Sequence, residues 1–278
     1  MEFITLKNDR ITVTLCSLGA SIYRLVFDNS DMMLSPIKEE DFSKEEVFYN
    51  KTVGRICGRI LRNNKVVLHG GPHGICHQEF DYSKEENQVV FTYISKGDES
   101  SPNGELNIKI AYRLEDTALI TETEITPNQD MEVCLTNHSF FCLGAKSVNE
   151  LFIKFDSDYY INYDERLLPL NKEKIKDKLN FKNGDTAMKY GDIDNYFFLN
   201  NKEVILQSNK YQLKLITDYQ GIHIYTDYFL DGVITRLSKN DHHRALAIEP
   251  QDDKLSNLLI KANKTIKRTS KYIFNKNI

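Results

Sequence analysis

Two short apolar runs carry the groups that could move a proton. One is Leu135-Thr136-Asn137-His138-Ser139-Phe140-Phe141, with an imidazole in its middle. The other is Ala247-Ile248-Glu249-Pro250-Gln251, with a carboxylate near its end. An imidazole and a carboxyl group supply the donor and acceptor that acid–base chemistry on an uncharged substrate requires. Taken alone, a histidine on a strand is more often a hydrogen-bonded core residue than a catalyst.

A third feature is the glycine-dense stretch Gly54-Arg55-Ile56-Cys57-Gly58-Arg59-Ile60, followed by Leu68-His69-Gly70-Gly71-Pro72-His73-Gly74. Glycines at this density bring backbone close to a ligand or to another strand. Arg55 and Arg59 could donate to sugar hydroxyls or anionic oxygens, or could equally be surface arginines with packed stems. No phosphate-binding glycine pattern and no GxSxG elbow occurs. His69, His73 and His77 are spaced four apart, as metal ligands on a helix would be, with Cys76 beside them. Gly70-Gly71-Pro72 breaks such a helix, and no second ligand pair completes the set, so no metal is expected. His242-His243, flanked by Lys239-Asn240-Asp241 and Arg244, reads as a polar loop. A glycosidase would need a second acid opposite Glu249; a histidine is better placed there, which suits shuttling protons on sugar oxygens.

Strands must position these groups. Ile11 to Leu15, Glu105 to Tyr112 and Tyr211 to Leu215 alternate with period two. Short apolar pieces at Ser21–Phe27, Gln88–Ile94, Ala118–Ile125, Leu151–Phe155, Tyr159–Tyr163, Val204–Gln207, Ile222–Tyr225 and Ala245–Ile248 add more. Turn signals at Asp28-Asn29, Pro102-Asn103-Gly104, Pro127-Asn128, Asn183-Gly184 and Asp231-Gly232 punctuate them. This pattern predicts an all-β fold, a large antiparallel β-sandwich. Helical signals are confined to a turn or two within Lys38–Val47 and a weak pattern over Asn171–Leu179. Tyr272-Ile273-Phe274 predicts a docked C-terminal strand. With no Pro- or Gly-rich linker, one domain spanning residues 1–278 is expected.

The chain has 278 residues, 41% of them hydrophobic, and a net charge of −4. That composition can bury a large core and shows no basic footprint for nucleic acid. No apolar run approaches a membrane span, and the N-terminus lacks the pattern of a signal peptide. Five cysteines without CxxC spacing predict free thiols in a reducing compartment, so a cytoplasmic location is expected.

The order of these motifs, together with Asp192-Ile193-Asp194-Asn195-Tyr196-Phe197-Phe198-Leu199 and the Ser101-Pro102-Asn103-Gly104-Glu105-Leu106 turn, resembles the aldose 1-epimerase (galactose mutarotase) family from about Gly19 to about Asn257. The resemblance implies a sandwich with an aldose lying across one concave sheet, Glu249 as general base and His138 as general acid. It implies substrate contacts from Arg59, His69 and Asp194, no cofactor, and a monomer or homodimer. On that reading an ionised Glu249 takes the C1 hydroxyl proton while a protonated His138 donates to the ring oxygen. The two would stand far enough apart to hold a sugar ring, with aromatics such as Phe140 on its apolar face. The chain departs from the pattern at Gly58 (usually Asn), Cys142 (usually Asn) and Asn195 (often His), and it has no Trp. Two other readings remain: a non-catalytic sugar sensor, and an epimerase for a phosphorylated hexose or other derivative. The last would use further cations at the pocket rim, for which Arg55, Arg62 and Lys65 are candidates.

Overall fold

The alternation Glu105-Leu106-Asn107-Ile108-Lys109-Ile110 becomes, in the computed structural model, the strand Glu105–Glu115. Its Leu106, Ile108, Ile110, Tyr112 and Leu114 are buried and the residues between them are not. The structure describes residues 1–98, 100–229, 232–236, 241–256 and 258–277. Asp231 of the Asp231-Gly232 turn, and the Lys239-Asn240 flank of His242, lie outside the described residues.

Two antiparallel sheets form the layers. The larger has nine strands, in the spatial order Asp185–Thr186, Phe152–Phe155, Glu203–Gln207, Tyr211–Thr217, Ile266–Lys276, Ala118–Pro127, Glu105–Glu115, Gln88–Lys96 and Asp81–Lys84. The smaller has six: Ser139–Phe141, Leu246–Gln251, Gly221–Tyr225, Asp194–Phe198, Tyr159–Tyr163 and Pro169–Lys174. A four-stranded sheet begins with Phe3–Lys7, Ile11–Cys16 and Ser21–Phe27. Ile222, Ile224, Leu246 and Ile248 of the six-stranded sheet share one core with Ile108, Ile110, Leu213, Leu215 and Phe274 of the nine-stranded sheet. Each such side chain, fully buried, contributes roughly 1.5–3 kcal/mol. One face of the six-stranded sheet is thereby committed to the core, and its other face carries the site.

The two helical expectations resolve differently. Glu39–Ser43 is a single 3₁₀ turn that buries Phe42. Over Asn171–Leu179 the weak helical pattern is overridden: Pro169–Lys174 is the edge strand of the six-stranded sheet, pairing with Tyr159–Tyr163. Its lysines, exposed to solvent, suit an unpaired sheet edge. The hairpin Arg59–Arg62/Lys65–Leu68 turns on Asn63 and Asn64, both at positive φ, a conformation that asparagine tolerates. All five cysteines are unpaired and buried. No helix among the described residues is long and apolar enough to cross a membrane.

Candidate functional site

Strand register decides which side chains meet. Ser139 pairs with Ile248, and His223 pairs with Glu249. Since alternate residues share a face, His138, Glu249 and His223 stand in a row on the face turned away from the core. The next row holds Phe140, Ala247, Tyr225 and Asp194. The two motifs are also tied directly, because the Thr136 hydroxyl donates to the Pro250 carbonyl at 2.7 Å. The His138 backbone is clamped from the other side: its N–H donates to the Lys51 carbonyl, and its carbonyl accepts from the Asn50 N–H, both at 2.9 Å. Asn137 is structural, donating through Nδ2 to the Asn50 carbonyl (3.1 Å) and to the Tyr112 hydroxyl (3.2 Å).

His138 Nε2 lies 3.3 Å from Glu249 Oε1, and both residues are almost wholly buried. The expected gap for a sugar ring between them is therefore absent. Both groups approach from one side, which fits two oxygens on the same carbon better than the two faces of a ring. Burial pushes the His138 imidazole down to about 3. Burial, reinforced by Asp194, pushes the Glu249 carboxyl well above the usual carboxylate range. Both shifts favour the uncharged forms, neutral imidazole and carboxylic acid, over the charged pair expected from the sequence. The number of protons is the same in both descriptions: one, shared by two groups in contact.

The other three sequence candidates surround this pair. His69 sits at positive φ, and its Nδ1 accepts the Gly58 N–H at 3.0 Å. Burial and the neighbouring His138 push its pKa well down. The imidazole is therefore neutral with its proton on Nε2, a fixed donor in the cavity wall. Asp194 accepts from His223 Nε2 at 2.6 Å and from the Tyr228 hydroxyl at 3.0 Å, and Arg59 lies 3.7 Å away. Burial alone would raise its carboxyl, but these partners hold it down to about 2, so it is ionised. His223 is pushed down by burial against the pull of Asp194, and donates to it as a neutral ring.

These five residues line one cavity of about 570 Å³, within the usual range for small-molecule sites. Sequence reasoning missed several of its other walls. His223 occupies a site-facing position in the alternating run Gly221-Ile222-His223-Ile224-Tyr225, a signal as good as that of His138. Tyr163, Tyr225, Tyr228 and Phe229 supply aromatic surface, and Lys254 supplies a cation. Phe48, at positive φ, closes one side with its ring 4.8 Å from that of His69. Its loop is set by Glu45, which accepts the Val47 and Phe48 N–H groups at 2.8 and 2.6 Å. Lys51 Nζ pairs with the same carboxylate at 2.5 Å, both side chains fully buried. Gln251 Oε1 accepts the Cys57 thiol at 2.5 Å.

Several expectations are corrected. Phe140 is completely buried beneath His138 and is no part of the cavity wall. Arg55 is buried and spent on structure, donating to Ser95 Oγ and to the Ser95, Pro102 and Gly104 carbonyls. Arg62 and Lys65 are not among the lining residues either. His77 does reach the cavity mouth, while His73 is exposed outside it. His242 and His243 lie apart, bonded to the Tyr228 carbonyl and to Asp192. No group of three His, Cys, Asp or Glu among the described residues is arranged to hold a metal ion. Of the three departures, Cys142 packs in a separate buried cluster, and Asn195 faces the side of its strand opposite Asp194. Only Gly58 lines the cavity.

Comparison with known proteins agrees with this architecture. Residues 2–272 match the aldose 1-epimerase family. The galactose mutarotase of Rattus norvegicus is 23% identical over 91% of this chain and 85% of its own length. That of Homo sapiens is 27% identical over 61% of this chain and 56% of its own. Among solved structures, a GalM/aldose epimerase homologue from C. elegans superposes with a TM-score of 0.92 at 24% identity, covering 100% of this chain and 99% of that one. A galactose 1-epimerase from Lactobacillus acidophilus NCFM gives 0.87 at 24% identity, covering 99% and 95%. With a galactose-mutarotase fold and a match along nearly its whole length, the chain belongs to the aldose 1-epimerase family.

Proposed function

We propose that the protein interconverts the α and β anomers of an aldose, with His138 and Glu249 as the acid–base pair. The observation that carries this reading is the buried contact of 3.3 Å between an imidazole and a carboxyl group that share one proton and open onto one cavity. A binding protein has no need of two such groups in contact at the cost of burying both.

As the sugar binds, the shared proton passes from Glu249 to His138 across their contact, and in the ring-opening direction the Glu249 carboxylate then accepts the proton of the C1 hydroxyl. The O–H electron pair becomes the second bond of the C1 carbonyl, the bond from C1 to the ring oxygen breaks, and that oxygen takes a proton from His138. The pair is then carboxylic acid and neutral imidazole, the forms that burial favours. Rotation about C1–C2 presents the other aldehyde face, and the same steps reversed give the other anomer. The reacting oxygens share a carbon, so two groups approaching from one side can reach both. Each group is expected to contribute about 10²–10⁴-fold. Neutral His69 would donate to one sugar oxygen. Asp194, held ionised by His223, Tyr228 and Arg59, would accept from a hydroxyl, while Arg59 donates to another. The test is polarimetry: freshly dissolved α-aldoses should relax faster with the protein, and no acceleration with any aldose would exclude the reading.

A further inference from the structure

The cavity carries a cation that the anomer-exchange chemistry does not use. Lys254 lines it beside Gly58 and Arg59. Gly58 has φ +66°, and a Cβ built on it would lie 2.1 Å from Lys254 Nζ. The ammonium therefore occupies the volume that any side chain at position 58 would fill.

The charges around Lys254 are largely committed to other partners. Asp194 is held by Arg59, His223 and Tyr228. Glu45 is held by Lys51, and Glu249 faces His138 at 3.3 Å. Asp253, next in the chain, is not a lining residue and accepts the Leu255 N–H at 2.7 Å. Glu46 lies exposed at the rim. Lys254 makes no ion pair among the described residues, and its nearest aromatic partner is the Tyr163 ring, 5.9 Å from Nζ. Its charge reaches His69, His223 and Glu249, so it belongs to the same field as the reacting pair.

Resting on the anomer-exchange reading, we propose that Lys254 is a substrate-binding cation and that the preferred substrates are aldoses bearing a carboxylate, the hexuronates. One ammonium without an ion-pair partner matches one negative charge. A phosphate ester, with more charge and three acceptor oxygens, calls for a cluster of cations, and Arg55, Arg62 and Lys65 are not in the cavity. The cavity of about 570 Å³ leaves room for the extra group.

The experiment compares kcat/KM for anomer exchange with glucuronate, galacturonate, glucose, galactose and glucose 6-phosphate. It uses wild type, Lys254→Met, Lys254→Arg and Gly58→Asn. Asparagine tolerates positive φ, and its side chain takes the place of the ammonium while leaving Lys254 in the chain. Wild type should favour hexuronates over their parent hexoses at least tenfold. That ratio should fall about tenfold or more in Lys254→Met and in Gly58→Asn, and persist in Lys254→Arg. A ratio near one in wild type, or one unmoved by Lys254→Met, overturns the proposal. A preference for glucose 6-phosphate over glucuronate overturns the choice of carboxylate. Should no aldose be turned over, the anomer-exchange reading fails by itself. Calorimetric binding of glucuronate against glucose to the same variants then decides the role of Lys254, with equal affinities overturning it.

Discussion

Replacing both reacting groups, His138→Gln with Glu249→Gln, should change the pH dependence of stability in a way that the structure dictates. The ordinary values are 6.5 for the imidazole and 4.5 for the carboxyl. Between them the unfolded chain holds one proton, on histidine. The folded pair also holds one, so the pair adds no slope there. Glu249 is raised in the fold, so its contribution is present below 4.5 and is lost as pH rises toward its folded value. His138 is depressed to about 3, so its contribution is present above 6.5 and is lost as pH falls toward that value. Together, wild type should lose up to about 1.4 kcal/mol per pH unit relative to the double variant as pH rises above 6.5, for as long as folded Glu249 keeps its proton. It should lose the same per unit below 4.5, where the unfolded state holds two. Urea midpoints at constant m, read for both proteins from about pH 4 to about pH 8.5, give the difference directly. A plateau between 4.5 and 6.5 with a fall on each side is expected. A difference that is flat throughout would show two groups titrating as in the unfolded chain, and would refute the shared proton.

The same proton count governs turnover. The kcat/KM profile should be level through pH 6.5, and an acid limb centred there would mean that the imidazole titrates alone. Lys51→Met leaves the Glu45 carboxylate buried without its cation, which should cost about 3–5 kcal/mol and lower Tm on the order of 10 °C. Adding Glu45→Gln should recover most of that loss, and failure to recover would show the pair is not the cause. Asp194→Asn weakens the charged bonds to His223 and Tyr228, each worth about 1.5–3 kcal/mol. KM for the aldose should rise roughly tenfold or more, alongside a loss of fold stability on the order of 1–3 kcal/mol, and an unchanged KM would remove Asp194 from the binding set.

Much of the fold was legible because antiparallel strands with one buried face write their period into the chain. Glu105–Glu115 and Tyr211–Thr217 alternate along their whole length. Pro169–Lys174 did not show, since an exposed edge strand needs no apolar face and its lysines mimic a polar helix. In the site, His138, Glu249, Arg59, His69 and Asp194 could be named from motifs and family resemblance. Whether they meet depends on register, which pairs residues more than 100 apart in the chain, such as Ser139 with Ile248. His223 was hidden for a related reason: its partner Asp194 becomes its neighbour only through the pairing of two strands. Phe140 was misplaced because, although it shares the site-facing side of the sheet with His138, the His138 ring, Tyr49 and Tyr225 pack over it, and no local pattern reports that cover. The charge states of His138 and Glu249 were out of reach, since they depend on burial that no local pattern reports.

The claim that matters most is that Glu249 accepts the anomeric proton. Its direct test is the optical rotation of freshly dissolved α-aldoses and α-hexuronates, followed with wild type and with Glu249→Gln at equal concentration. Gln keeps the shape of the side chain and most of its hydrogen bonds but cannot accept the proton. The account predicts fast relaxation with wild type and a loss of at least about 100-fold with the variant, while sugar affinity measured by calorimetry is largely kept. Glu249→Gln turning over at the wild-type rate would contradict it, and would make Glu249 a structural acid.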